Sequence, residues 1–153
     1  MKDEEVCKEP RSIGFELKVV NNLIRRKLDN TFQDELQGEL AGIQGPVLGY
    51  IHRFGSQRDV FQKDIEQEFN IRRSTATVML QHLEQKGYVV REPVEHDARL
   101  KKILLTPKAV ARNEIIHKRI ESFNSKLEEG ITEEEKQTFL RILGKIKDNL
   151  ESG

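Results

Sequence analysis

Residues 71–106 read IRRSTATVMLQHLEQKGYVVREPVEHDARLKKILLT, and this stretch decides the fold. Its first half predicts an α-helix, because apolar residues recur there at helical spacing and the run closes on Gly87. The inward stripe of that helix is Ala76, Met79, Leu80 and Leu83. Its second half predicts a hairpin, in which two apolar strands over 88–91 and 103–105 flank a charged turn that carries Asp97 and Arg99.

Apolar periodicity on either side of this stretch predicts five further helices. They cover residues 12–32, 43–54, 62–69, 107–129 and the C-terminal segment that opens with the capping box Thr132–Glu135. The third and fourth helices are separated only by a short turn, and the second of the pair has a small, polar outward face. This arrangement is typical of a helix-turn-helix. A helix with a cationic leading end, followed by a basic hairpin, suits a DNA major groove with a reach into the minor groove.

The composition favours a soluble, largely helical protein. The chain has 153 residues, of which 36% are hydrophobic and 34% charged, enough for one core with an extension. No apolar run approaches the roughly 18 residues of a membrane span, and the acidic N-terminus does not resemble a signal peptide. We therefore expect a cytoplasmic protein without a membrane partner. Cys7 is the only cysteine. It is either an incidental thiol or a redox sensor, and its acidic neighbours disfavour the thiolate that sensing needs.

Charge is distributed unevenly along a chain whose formal net charge is zero. Residues 71–102 contain seven basic and four acidic residues, so this stretch is positive overall. The acidic residues that balance this positive charge lie mainly in the first ten residues and around residues 128–135. The asymmetry is modest support for a polyanionic partner that faces the centre of the chain.

The wing and the helix before it resemble those of MarR-type transcriptional regulators. The segment HDARLKKILLT is similar to that family's D-x-R-x-x-x-I-x-L-T wing signature, and STATVMLQHLEQKGYV is similar to its recognition helix. The segment IQGPVLGYI resembles the second helix of multidrug-efflux repressors in the same family. The resemblance extends over essentially the whole chain. It implies a mainly α fold with a small β-wing, a winged helix-turn-helix flanked by dimerisation helices.

The resemblance also implies an organisation and a function. A flexible segment (1–11) would precede a DNA-binding domain (40–106), with dimerisation helices over 12–36 and 107–153. The terminal helices carry apolar faces that the central unit is too small to cover, which also favours a homodimer over helices folded back on their own domain. The function implied is that of a repressor on double-stranded DNA with a pseudo-palindromic operator. A small amphipathic or phenolic effector would relieve repression.

Three positions depart from the family pattern. Phe61 stands where a hydroxyl residue often caps the third helix, so Asp59 is expected to cap it instead. Glu66 replaces a small alanine, which would alter packing against the recognition helix. Ala109 replaces a glycine that commonly follows the wing.

Arg99 is the leading candidate for DNA contact, because a guanidinium at a wing tip can enter the negative minor groove. Asp97 is expected to hold Arg99 extended through a charge-assisted hydrogen bond, and the alternative is a solvated surface ion pair worth little. Ser74, Thr75 and Thr77 suit close approach to phosphates and bases, or else form a solvated face. The remaining predicted contacts are polar or basic: Gln62, Lys63, Arg72, Arg73, Gln81, Arg91, His96, Lys101 and Lys102.

An effector pocket is predicted between the dimer helices and the winged unit, with plain core packing as the alternative. Its candidate lining residues are Phe15, Val19, Asn22, Tyr50, Phe54 and His117. The four histidines lack metal-ligand spacing, and no catalytic or phosphate-loop motif is present, so we expect no metal, no cofactor and no enzyme. Two rival interpretations remain: a winged-helix module for protein contacts, and a small helical enzyme with a buried titratable pair.

Overall fold

The computed structural model describes residues 11–36 and 42–153, which form six helices and one two-stranded antiparallel sheet. The elements in chain order are α1 (Ile13–Leu36), α2 (Gln44–Gly55), α3 (Gln62–Glu68), α4 (Arg73–Gln85), β1 (Val89–Val94), β2 (Asp97–Leu105), α5 (Pro107–Leu127) and α6 (Glu133–Glu151). Their order and types confirm the predicted fold class, mainly α with a small wing. The segment 1–11 lies outside the described residues except for Arg11, as does Cys7.

Two compact units divide the chain inside α5: the first ends at Arg119, and the second is Ile120–Gly153. The core of the first unit contains fully buried side chains from every element of the winged helix-turn-helix. These include Leu48, Ile65, Leu80, Tyr88 and Ile103. The inward stripe predicted for α4 is buried at all four positions, which confirms that part of the periodicity. Burying this apolar surface is what orients α4 with its polar side chains outward.

α2 lies close to α5 at one point. A Cβ added at Gly45 would lie 3.4 Å from Cγ2 of Ile116, so the glycine permits tight packing there. Pro46 occupies the first turn of α2, where a missing N–H costs nothing, as predicted. Phe54 was expected on the buried side of α2 but is only half-buried. It packs on Tyr50 instead, with ring centroids 4.7 Å apart.

The cap of α3 differs from the prediction. Asp59 does not cap it; the N-cap residue is Phe61, whose backbone N–H donates to Oδ2 of Asp64 at 2.8 Å. Asp64 lies in the first helical turn, where a carboxylate also interacts favourably with the helix dipole. Just before α3, Val60 is almost fully buried, and its carbonyl accepts a 2.7 Å hydrogen bond from the N–H of Ile103 in β2. That bond joins the start of α3 to the wing.

The hairpin is longer than predicted, and the prediction that Asp97 and Arg99 lie in its turn is wrong. Both residues belong to β2, and the turn consists of Glu95 and His96. The register pairs Val89 with Leu105 and continues to Pro93 with Lys101, with an irregularity before Val94. Apolar alternation underestimates such a wing, because most of its outer half is exposed and polar, although Val94 at the end of β1 is buried. The backbone pairing of β1 with β2 continues there without an alternating apolar pattern.

α1 continues to Leu36, although residues 33–36 were predicted to start a polar connection. The reason is intrinsic propensity, since this polar segment contains no glycine or proline before residue 38. In the second unit, the capping box of α6 is confirmed: Thr132 Oγ1 accepts from the N–H of Glu135, and Glu135 Oε2 accepts from the N–H of Thr132. Gly130 has φ 78°, as the glycine between two helices should.

Candidate nucleic-acid interface

The outward face of α4 is polar and exposed. Ser74, Thr75 and Gln81 lie on it, and Arg72 and Arg73 are exposed at its N-terminal end. Small hydroxyl side chains at the leading end allow the helix backbone to approach bases and phosphates closely. The free N–H groups of the first turn add a partial positive charge at the same end.

A polar clamp of Gln62, Arg73 and Thr77 ties α4 to α3. Nε2 of Gln62 donates to Oγ1 of Thr77 at 2.9 Å and approaches the Arg73 carbonyl at 3.4 Å. The Thr77 hydroxyl in turn donates to that carbonyl at 2.8 Å. Gln62 and Thr77 were both predicted to contact DNA. One hydrogen bond joins the two side chains, so they orient α4 as well as border the interface.

The contact between Asp97 and Arg99 is not the one predicted. Oδ1 of Asp97 accepts a 2.9 Å hydrogen bond from the backbone N–H of Arg99, not from its guanidinium. The carboxylate therefore fixes the strand where it leaves the turn, and the exposed Arg99 side chain projects from a defined backbone position. Asp97 shapes the wing without neutralising the arginine.

Arg91 lies at the inner end of the wing and is mostly buried. Its Nε lies 3.1 Å from Oε1 of Glu84 on α4, an ion pair that joins β1 to the recognition helix. Nε and Nη2 are buried without an aligned hydrogen-bond partner among the described residues. A guanidinium with unsatisfied N–H groups is costly unless an acceptor approaches it. Arg91 thus acts chiefly as a structural link between β1 and α4.

A groove of about 650 Å³ runs between α3, α4 and β2. Its cationic lining residues are Lys63, Arg73, Arg91, Arg99 and Lys101. Glu66 is the acidic residue in the same lining, so the groove is positive overall. Gln62 and Thr77 also border it, together with Phe61 and Leu100. Residues that are far apart in sequence thus converge on one concave cationic surface.

A second, shallower cavity of about 510 Å³ lies on the other side of α4. Its lining combines hydroxyl and apolar side chains: Ile43, Gln44, Ser74, Thr75, Val78, Met79 and His82. Predicted contacts Ser74 and Thr75 therefore border this cavity, while Arg73 and Thr77 border the cationic groove. Of the other predicted contacts, His96 is exposed in the wing turn and Lys102 is half-exposed on β2.

The six predicted effector residues line neither cavity. Phe15 and Asn22 are exposed on α1, Val19 is half-buried there, and His117 is exposed on α5. Tyr50 and Phe54 lie together on α2, and Phe69 packs edge-on against Tyr50 at 6.1 Å. Sequence reasoning did not single out Arg58. Its Nη2 donates to the Tyr50 hydroxyl at 2.9 Å, and its Nη1 lies 3.3 Å from Asp64 Oδ2.

The pKa of Arg58 is raised above its ordinary value. Partial loss of hydration acts to lower the pKa, but the hydrogen bond to Tyr50 and the charge of Asp64 together outweigh it. The guanidinium therefore stays charged and links the aromatic cluster on α2 to the cap of α3. This linkage could be found only in three dimensions, because a single exposed arginine has no distinguishing sequence signal.

Among the described residues, no cluster of histidine, cysteine or carboxylate side chains is able to hold a metal ion. In the same residues, no helix is long and apolar enough to cross a membrane.

Comparisons with known proteins agree with this architecture. A family model described as "MarR family" matches residues 39–100. The HTH-type transcriptional regulator PecS of Dickeya dadantii is 30% identical over 143 residues, which cover 93% of this chain and 84% of PecS. The crystal structure of the transcription regulator MarR from Oenococcus oeni has a TM-score of 0.77 at 31% identity, covering 90% of this chain and 99% of that one. The structure of MepR of S. aureus with DNA has a TM-score of 0.81, covering 91% of this chain and 96% of that one; at 22% identity it supports the fold alone.

The helix-turn-helix, its wing and the cationic groove between them define a DNA-binding transcriptional regulator of the winged-helix class. With the family model and the 30% identity to PecS, the chain belongs to the MarR family. That membership makes it a regulator rather than an enzyme.

Proposed function

We propose that this protein is a homodimeric repressor that binds a pseudo-palindromic operator and is released by a small-molecule effector. The observation that carries the DNA-binding part is the cationic groove, where five basic side chains converge beside Thr77 of α4. Phosphate contacts supply most of the affinity for DNA, and base contacts supply the specificity. The cationic groove offers phosphate contacts, and the outward face of α4 offers base contacts.

The predicted contacts take distinct roles in this proposal. Arg99 enters a minor groove at the wing, and Ser74, Thr75 and Gln81 face base edges in the major groove. Phosphates are bound by the basic residues around them, with polar support from Gln62 and Thr77. These basic residues are Lys63, Arg72, Arg73, Arg91, His96, Lys101 and Lys102. The S. aureus MepR structure, which was solved with DNA, supports the same use of the fold.

The homodimer is proposed from apolar surface that the chain leaves uncovered. On α6, Phe139, Leu140 and Leu150 are each at least half exposed. On α1, the large exposed apolar side chains include Ile13, Phe15 and Leu23. Large apolar side chains exposed on two helices in this way favour burial in an assembly. A two-fold dimer would set two copies of α4 into successive major grooves, with half-sites about one helical turn apart.

The effector part of the proposal follows from that geometry. Both recognition helices must match the groove spacing at once, so a ligand that changes their separation weakens binding. We place a small amphipathic or phenolic effector near Tyr50 and Phe54 on α2, with Phe15, Val19, Asn22 and His117 as the other candidate contacts. Among structural neighbours, the heme sensor protein PefR was solved with heme and carbon monoxide, so the fold accommodates small ligands in at least one protein.

The DNA-binding proposal is tested by fluorescence anisotropy with DNA from the region upstream of the protein's own coding sequence. Affinity should fall by roughly a thousand-fold or more between about 50 and 200 mM salt, if six or more phosphates are neutralised. Arg99→Ala should cost about 1–3 kcal/mol and flatten the salt slope by about one for each of the two copies in the dimer. Arg99→Lys is the matched control and should keep the slope. Salt-independent binding, or none, would favour a protein-contact module instead.

The dimer is tested by light scattering after gel filtration. The expected mass is twice the 17.8 kDa of one chain. Phe139→Glu should shift the protein toward monomer and weaken operator binding. Arg141→Glu is the matched control, because two residues along a helix turn a side chain by about 200°. A monomeric wild-type protein that still binds the full operator tightly would overturn the dimer.

The effector is tested by adding phenolics, drugs, peroxide or metals to the preformed DNA complex and measuring whether the DNA is released.

A further inference from the structure

One apolar side chain interrupts the polar outward face of α4. Val78 is 51% exposed, although it lies in the middle of a well-ordered helix. Its neighbours one turn away on that face are polar: Ser74 and Thr75 before it, Gln81 and His82 after it. A β-branched residue is a poor choice for an exposed helix position, because it lowers helix propensity and gains no burial. Among the described residues, the core does not enclose Val78, so packing there does not by itself explain a valine.

The surroundings of Val78 favour a base edge over a protein partner. Val78 borders the second cavity, whose exposed rim also carries the hydroxyls of Ser74 and Thr75. The apolar side chains at this cavity, Val78 with Ile43 and Met79, form too small a patch for a protein interface, which buries about 800 Å² on each partner. The same mixture suits the major groove, where thymine presents a C5-methyl group beside its O4 acceptor. Cytosine presents an amino donor there and no methyl.

The position of Val78 is also well defined. A valine in a helix adopts one strongly preferred χ1 rotamer, so its two methyl groups point in fixed directions. The helix itself is anchored by Ala76, Met79 and Leu80, which are buried on its other side. Thr77, the residue next to Val78, is bonded to Gln62 on α3. To distinguish a base with one methyl group from a base without it, a protein needs an apolar side chain in a fixed position, and Val78 on the anchored α4 meets that need.

We propose that Val78 packs against the C5-methyl of a thymine in each operator half-site and selects thymine over cytosine at that position. The inference rests on the proposed DNA binding and names one element of its specificity. It assigns a reading role to a side chain with no hydrogen-bonding capacity. Ser74, Thr75 and Gln81 remain the polar readers around it.

The experiment replaces each thymine of the bound duplex, one symmetric pair at a time, by deoxyuridine, which lacks only the C5-methyl. Wild-type affinity should fall at one position, about four-fold for one half-site and about fifteen-fold for both, as expected for one buried methyl group. Val78→Ala should bind the thymine and uracil duplexes equally. It should fold normally, because Val78 lies outside the buried core and alanine favours the helix, and circular dichroism checks this. Val78→Ile, which keeps the methyl-bearing Cβ, should retain the discrimination.

The outcomes separate this inference from the proposal beneath it. If wild-type protein binds the DNA but no thymine substitution matters, or if the uracil effect persists in Val78→Ala, then Val78 does not read thymine and DNA binding stands. If wild-type protein fails to bind the DNA even at low salt, both are overturned.

Discussion

The side-chain amide of Gln62 on α3 donates a 2.9 Å hydrogen bond to the hydroxyl of Thr77 on α4. This bond joins the two helices of the helix-turn-helix. The Thr77 hydroxyl in turn donates a hydrogen bond to the Arg73 carbonyl. Both side chains border the cationic groove. The angle at which α4 is presented thus depends on residues at the interface itself.

We predict that Thr77→Val destabilises the fold by about 0.5–1.5 kcal/mol, because it keeps the shape and removes the hydroxyl that accepts from Gln62. Urea unfolding measures this. DNA affinity should fall while the salt slope stays unchanged, since no cation is lost. Thr75→Val is the matched control: no hydrogen bond of the Thr75 side chain occurs in the described part of the chain, so its stability should not change. Equal stabilities of the two variants would show that the interhelical bond contributes nothing.

The role of Asp97 is tested by two substitutions. Because its carboxylate accepts from the backbone N–H of Arg99, Asp97→Asn should retain DNA affinity: the amide oxygen still accepts, and a negative charge is removed from the interface. Asp97→Ala removes the acceptor and should weaken binding relative to Asp97→Asn by about 0.5–1.5 kcal/mol. Anisotropy titrations at one salt concentration compare them. An equal loss in both variants would instead indicate an ion pair with the Arg99 guanidinium.

Arg58→Gln should lower the thermal unfolding midpoint, because it breaks the contacts to both Tyr50 and Asp64. The raised pKa of Arg58 means that its stabilising contribution is present at every pH below the ordinary arginine value. The difference between wild type and variant should therefore stay constant over roughly pH 5–8 as far as Arg58 itself is concerned. Arg53→Gln is the control, since both arginines lie over the Phe54 ring, Arg58 at 5.6 Å and Arg53 at 5.3 Å from its centroid. A midpoint lowered no more than in Arg53→Gln would count against the linkage.

In the second unit, the pKa of Lys136 is raised, chiefly because its ammonium donates to Glu128 Oε2 at 2.9 Å and is attracted by that carboxylate. A raised folded-state pKa means that the stabilisation is complete below the ordinary lysine value of roughly 10.4 and is lost as pH rises through the higher folded value. A ¹³Cε titration of labelled lysine should give Lys136 a midpoint above that ordinary value. Glu128→Gln should remove most of the increase, because Glu133 also raises the pKa; an unchanged midpoint in that variant would refute the cause.

Local pattern was sufficient for much of the fold. Helical spacing at Ala76, Met79, Leu80 and Leu83 identified the buried side of α4, and Gly87 and the Thr132–Glu135 box marked helix ends. These features depend on a few neighbouring residues, so a single chain segment contains them. The same holds for the wing motif that indicated the family. Where local propensity was misjudged, at residues 33–36 of α1 and in the outer half of the wing, element ends were misplaced.

Relationships between segments were decided by the tertiary structure alone. The carboxylate that caps α3 is Asp64 and not Asp59, because the chain enters that helix with Phe61 extended. Gln62 reaches Thr77, 15 residues away, and Arg58 reaches back to Tyr50 only once α2 and α3 are packed. A hydrogen bond needs two groups within about 3 Å, and sequence spacing does not report that distance across a turn. The sequence determined which residues face outward, and packing determined which of them meet.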